Sequence, residues 1–197
     1  MTALRLYSYW RSTTSFRVRV ALNLKGMDYD TVPVDLAANA QHDAEYRAVN
    51  PSAGVPSLVL ADGAVLTQSL AILTYLDAVA PEPPLLPAEP VARARVEAAA
   101  QVIALDIHPV NNLRVLAYLR DRLGHGAEDA ETWMRHWMHQ GFAAFQALIR
   151  PDTDLCFGER PDLADICLAG QMINARRWGL ELGPFPRLVE IDARLRA

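Results

Sequence analysis

Between residues 81 and 90 the chain reads Pro-Glu-Pro-Pro-Leu-Leu-Pro-Ala-Glu-Pro, and this run limits what can fold on either side of it. Proline has no backbone N–H and a fixed φ, so neither a helix nor a central strand passes through such a stretch. It reads as a stiff linker. The predicted organisation is therefore a mixed domain over residues 1–80, a Pro-rich linker over 81–90 and an all-helical domain over 91–197.

Before the linker the hydrophobic pattern alternates between strand and helix periods. Ala3–Tyr7 reads as a strand and residues 13–25 as a helix, with Phe16, Val20, Ala21 and Leu24 on one face and Lys25-Gly26 as its stop. Tyr29–Val34 alternates like a second strand, and Pro33 puts it at an edge. Residues 36–50 are polar and Ala-rich, a loop with a short helix ending at Asn50-Pro51. Ser57–Leu60 and Ala64–Leu66 flank Asp62-Gly63, a hairpin signal. Leu70, Leu73, Leu76 and Ala80 then mark a helix over 69–79. The order β-α-β-(α)-β-β-α is a thioredoxin-like arrangement without a Cys-x-x-Cys redox motif.

After the linker every pattern is helical. Residues 91–122 form a long periodic segment that Pro109 should kink. Residues 130–149 carry Trp133, Met134, Trp137, Met138, Phe142 and Phe145, a stripe that reads as packed core. A third helix spans about 162–178, opened by Asp162 and Asp165 in capping-box positions.

Composition excludes several classes. A net charge of −4 gives no general attraction to nucleic acid or anionic lipid. The two cysteines, Cys156 and Cys167, fit neither a disulfide scaffold nor a zinc ribbon. His136 and His139 lack a carboxylate or Cys partner at ligand spacing, so no metal is expected. There is no apolar h-region at the N-terminus and no run of membrane-spanning length, which predicts a soluble cytoplasmic protein.

The stretch with the densest chemistry is Tyr7-Ser-Tyr-Trp-Arg-Ser-Thr-Thr-Ser-Phe-Arg-Val-Arg-Val20. Ser12, Thr13, Thr14 and Ser15 fall where a strand hands over to a helix N-terminus, whose unpaired N–H groups and positive dipole end stabilise an anion. One hydroxyl suffices for capping. Four in a row beside Arg11 point to a site.

A thioredoxin-like domain joined by a Pro-rich linker to a helical domain resembles the cytosolic glutathione transferases. Residues 9–22, Asn50-Pro-x-x-x-Val-Pro56, Gln68-Ser69 and Asp106-Ile-His-Pro-Val-Asn-Asn112 are similar to the zeta class, the family of maleylacetoacetate isomerase and of bacterial glutathione-dependent maleylpyruvate isomerase. The resemblance covers nearly the whole chain. Thr14 departs from the animal pattern, where a cysteine is common, and is closer to the bacterial enzymes.

The resemblance implies a homodimer that uses glutathione as a cofactor to isomerise a small dicarboxylate, in the catabolism of aromatic compounds or aromatic amino acids. The glutathione thiolate would add to the activated double bond of a maleyl group. Rotation about the resulting single bond and expulsion of the thiolate would give the fumaryl product. Thiolate stabilisation falls to Ser12 first, Thr14 second and Thr13 third, with Tyr7 and Tyr9 as competing donors. The implied glutathione contacts are Ser12, Thr14, Gln41 or His42 at the glycyl end, Val55 and Pro56 (a cis peptide in the family) at the cysteinyl part, Gln68 and Ser69 at the γ-glutamyl carboxylate, and His108 and Asn112. Arg11, Asn111, Arg114 and Arg176 are the candidates for substrate carboxylates and developing enolate charge, with Asn111 and Arg114 on one helix face. Arg176 and Arg177 equally suit the C-terminal dipole of their helix. A broader transferase that dehalogenates α-haloacids is the alternative activity, and a non-catalytic module with this fold that binds a partner is the alternative class. Little sequence follows the Arg187–Arg196 helical pattern, so any tail over the cleft is expected to be short.

Overall fold

The structure is a computed structural model that describes residues 4–197. It divides into two compact units, Met1–Leu85 and Leu86–Ala197.

In the first unit β1 (Leu4–Ser8) leads into α1 (Thr13–Leu24), β2 (Tyr29–Pro33) and α2 (Ala44–Val49), with a 3-10 turn at Ala40–His42. The hairpin β3 (Ser57–Val59) and β4 (Val65–Thr67) follows, then α3 (Ser69–Val79). The expected first strand began at Ala3, which lies outside the described residues. The sheet order is β2-β1-β3-β4. β1 pairs parallel with β2, Leu6 opposite Thr31, and antiparallel with β3, Leu6 opposite Leu58. Pro33 thus sits on an edge strand, where its missing N–H costs no ladder bond. Leu6, Leu22, Leu58, Ile72, Leu73 and Leu76 are fully buried and form the core of this unit.

The phase of α1 differs from expectation. Its buried face carries Arg17, Val18, Ala21 and Leu22, whereas Phe16 and Val20 are half-buried and Leu24 is exposed. Apolar residues occur almost all round this helix, so the period left its rotation open. Lys25, read as a stop signal, is its C-cap and does more. Its ammonium is fully buried, pairs with Asp77 at 3.1 Å and donates to the carbonyls of Ala80 and Pro83. Asp77 also accepts the Leu85 N–H at 2.7 Å. The proline-rich strand of chain is therefore sewn to α3, and Leu85 and Leu86 are buried.

In the second unit Glu89 caps α4 (Pro90–Gln101), accepting N–H bonds from Val91 and Ala92. A π-helical segment (Val102–Ile107) continues it, followed by α5 (Leu113–Leu123), α6 (Ala127–Leu148), α7 (Leu163–Arg177) and α8 (Pro186–Leu195). The expected kinked helix over 91–122 is in fact broken. Proline at 109 removes a donor, and Asn112 starts a new helix by accepting the Arg114 N–H at 3.1 Å. The stripe on α6 is core: Met134, Met138, Phe142 and Phe145 are buried, with Trp133 and Trp137 half-buried and their rings 5.6 Å apart. Gly141 permits the close approach of α6 to the π segment, since a Cβ there would lie 2.2 Å from Ile107 Cγ1. α7 opens with the expected capping box of Asp162 and Asp165.

Candidate active site

In the first unit the hydroxyl run lands at the N-terminus of α1. Ser12 is the N-cap and accepts the Ser15 N–H at 3.1 Å. Ser12 Oγ and Thr14 Oγ1 lie 2.8 Å apart, and Thr14 Oγ1 donates to the Val55 carbonyl at 2.8 Å. Each hydroxyl has one proton to give. Thr14 spends its proton on Val55, so in the Ser12–Thr14 bond Ser12 is the donor. The Ser12 proton is held only by another hydroxyl, which is a weak acceptor beside an anion. Thr13 is buried at the start of α1. Of the rival phenols, the Tyr7 ring lies against Tyr46 at 5.7 Å and that of Tyr9 against Trp10 at 6.1 Å.

Two residues that the sequence reading gave no role fix these loops. Arg19, nearly two turns into α1, reaches back to donate to Ser8 Oγ at 2.7 Å and to the carbonyls of Tyr9 and Trp10. It thereby holds the segment that carries Arg11, whose guanidinium lies 5.5 Å from the centre of the exposed Trp10 ring. Burial lowers the Arg19 pKa, though a guanidinium remains charged. Tyr46 donates to the Gly54 carbonyl and shares a 3.1 Å contact with Ser57 Oγ. Its phenol pKa is raised, first by burial, so it stays a donor.

Asn50, quoted above only as part of a motif, works beside Tyr46. It donates to Gly54 O at 2.7 Å and to Ser57 Oγ at 3.1 Å. Between these anchors Val55-Pro56 is a cis peptide. An Asn ahead of a turn and a Tyr four residues before it on α2 were the available signals.

Gln68 precedes α3 with φ +67°, a conformation uncommon for a residue with a Cβ. Ser69 is the first helical residue and is buried, with Gln68 in the cap position. Ser69 Oγ accepts from Arg17 Nη1 at 3.2 Å. Gln41 and His42 lie on the 3-10 turn ahead of α2. Gln41 Oε1 is buried without a hydrogen-bond partner, as are Arg17 Nε and Nη2. Buried polar groups are nearly always satisfied. These orphans, with the Ser12–Thr14 pair, suit a polar, anionic peptide such as glutathione.

In the second unit the 106–114 motif is a turn between helices. His108 is half-buried at the end of the π segment. Asn111 is buried and donates to Met134 O at 3.3 Å, while its Oδ1 has no hydrogen-bond partner. The expectation that Asn111 and Arg114 share a helix face is corrected: α5 starts at Leu113, so only Arg114 is helical and it is exposed. Trp133 Nε1 donates to Val110 O at 2.9 Å and pins the same turn from α6. Arg176, in the last turn of α7, pairs with the buried Asp192 carboxylate at 2.6 Å, which also meets Arg196 at 3.0 Å. His136 and His139 pack edge-on against Trp137 and Phe185.

Comparison with known proteins supplies the family context. The profile for the glutathione S-transferase N-terminal domain matches residues 11–79. Maleylacetoacetate isomerase of Rhizobium meliloti is 48% identical over 191 residues, spanning 96% of this chain and 89% of that protein. The holo structure of maleyl pyruvate isomerase, a bacterial glutathione S-transferase of the zeta class, superposes with a TM-score of 0.93 at 40% identity, over 97% of this chain and 91% of its own. Maleylacetoacetate isomerase from Methylobacterium extorquens AM1, crystallised with malonate and GSH, gives 0.94 at 37% identity, with 98% and 92% covered.

Proposed function

Because the chain belongs to the zeta-class glutathione transferase family, we propose that it is a glutathione-dependent cis–trans isomerase of maleyl acids, taking maleylpyruvate or maleylacetoacetate to the fumaryl product. The observation that carries this reading is the Ser12–Thr14–Val55 hydrogen-bond chain at the N-terminus of α1. Glutathione supplies the nucleophilic thiolate that a double-bond isomerisation of this kind requires.

Ser12 turns its proton from Thr14 toward sulfur and, with the positive end of α1, favours the charged form. Thr14 keeps the Val55 carbonyl in place, and Thr13 is the least favoured of the three donors. Val55 and Pro56 present backbone to the cysteinyl part of the tripeptide. Gln68 and Ser69 take the γ-glutamyl carboxylate and Gln41 or His42 the glycyl end; His108 and Asn112 are the candidates for glutathione contact that the second unit carries. Arg11 and Arg114 are exposed guanidiniums suited to substrate carboxylates. Asn111 offers an unused buried acceptor atom. Arg176 uses two of its nitrogens on Met172 and Asp192 and has donors left for a substrate. The reading includes a homodimer working in the cytoplasm.

No helix is long and apolar enough to cross a membrane among the described residues. The test is a side-by-side incubation of purified protein with each maleyl acid, with and without glutathione, followed by proton NMR of the olefinic signals. Conversion of at least one acid to its trans isomer, with glutathione recovered intact, is the expected result. No glutathione-dependent conversion of either acid overturns the reading. Stoichiometric loss of glutathione to an α-haloacid instead would favour the dehalogenating alternative.

A further inference from the structure

Among the described residues Arg17 is the largest fully buried side chain, at 1% exposure, and it has no carboxylate partner there. Among the described residues its side chain makes one hydrogen bond, from Nη1 to Ser69 Oγ at 3.2 Å, while Nε and Nη2 have none. A buried guanidinium without a counter-charge is costly, and natural proteins seldom keep one without an anion to meet it. Lys25, a second buried cation in this unit, shows the usual arrangement, with Asp77 and two carbonyls around its ammonium.

The place where Arg17 delivers its charge is the start of α3, a helix of 11 residues whose first N–H groups point at the same region. Ser69 Oγ accepts from Arg17, and arginine cannot accept in return. The Ser69 hydroxyl proton is therefore turned away from Arg17 and left for a third group. A cation, a helix N-terminus and an oriented hydroxyl thus converge on one point, and all three select a carboxylate.

We propose that Arg17 is the positioning residue of the carboxylate site at the N-terminus of α3: it orients Ser69 and supplies the buried positive charge that the γ-glutamyl carboxylate of glutathione neutralises. This inference rests on glutathione being the cofactor, as proposed above. It assigns the cost of the uncompensated guanidinium in the free protein to the recognition of one carboxylate.

The test measures binding, not turnover. Glutathione and its decarboxylated counterpart 4-aminobutyryl-Cys-Gly, which lacks only the γ-glutamyl carboxylate, are titrated calorimetrically into wild type, Arg17→Met and Arg17→Lys. Arg17→Met is expected to weaken glutathione about 30-fold or more and the decarboxylated peptide by less than about 3-fold. Arg17→Lys, which keeps the charge but loses the fork, falls between. The melting temperature of ligand-free Arg17→Met should be equal to or above that of wild type, because a purely structural arginine would lower it. Equal weakening of both peptides, or none, overturns the proposal while leaving the cofactor reading intact. A wild type that binds neither peptide overturns that reading and this inference with it. If Arg17→Met fails to fold, Arg17→Lys decides by the same ratio: loss of selectivity for glutathione sustains the proposal and retained selectivity overturns it.

Discussion

At the scale of single residues, proton counting separates Ser12 from Thr14. Thr14 is committed to Val55 O, so only Ser12 has a proton it can redirect without breaking a bond to the backbone. Ser12→Ala is expected to raise the pKa of bound thiol toward its free value of about 8.5 and to lower kcat/KM about 100-fold, in the range for loss of one donor to a developing anion. It also deletes the cap on Ser15 N–H, a loss of about 1 kcal/mol in stability that is too small to explain the rate. Thr14→Val should leave the thiol pKa nearly unchanged and raise KM for glutathione, since its loss frees the Val55 loop. Thiolate absorbance near 240 nm against pH checks both, and the opposite ranking would reverse the assignment. The hydroxyls were legible in the sequence because a Ser-Thr-Thr-Ser run beside an Arg has few structural uses. Arg17 was not, because a charged residue on a helix is assumed to face water, and nothing in the periodicity contradicted that here.

At the scale of elements, legibility followed how sharply a segment states its period. The hairpin, α3, α6 and α7 were readable, each having a strong stop signal, cap or apolar stripe. The rotation of α1 was not, because Phe16, Val18, Val20 and Leu22 offer two faces of similar hydrophobicity. The 91–122 segment kept helical spacing through a break, since Asn112 can cap a new helix as readily as it can ride on an old one. Besides the Trp133–Val110 hydrogen bond, the close contact of α6 with the π segment at Gly141 sets the chain entering this turn. On helix propensity alone, Gly141→Ala should stabilise α6 by about 1 kcal/mol. The structure gives the opposite sign: the new Cβ would meet Cγ1 and Cδ1 of the fully buried Ile107 at 2.2 and 2.4 Å. Overpacking of this kind costs about 1–3 kcal/mol. Ile107→Ala removes both clashing atoms, so its cavity cost and the clash should partly cancel in the double variant. Urea unfolding of the two single variants and the double variant measures this, and strictly additive losses would refute the contact as the cause.

At the scale of the molecule, the pH dependence of stability has two sources of opposite sign. Glu89, Asp121, Asp152 and Glu190 all have carboxyl pKa values below normal through hydrogen bonds to backbone or arginine. Their folded forms hold fewer protons than the unfolded chain, so what they contribute is present at neutral pH and lost in acid. Asp162 behaves in the reverse way. It accepts N–H bonds from Ala164 and Asp165 at the head of α7, while the buried Asp165 carboxylate accepts those of Cys156 and Asp162. Burial first, and then the Asp165 carboxylate, push Asp162 up to about 8 from an ordinary 3.8. Between those values the folded state keeps a proton that the unfolded state has released, so this stabilisation is complete below about pH 4 and is lost as pH rises toward 8. The unfolding free energy should therefore rise out of acid, pass a maximum and decline on the alkaline side by about 1–3 kcal/mol. Asp162→Asn keeps a capping oxygen of nearly equal quality and cannot ionise. It should match wild type near pH 5, exceed it at pH 8, and leave the acid limb unchanged. Denaturant midpoints at pH 4 to 8 for the two proteins check this, and an alkaline decline of equal size in the variant would remove Asp162 as its origin.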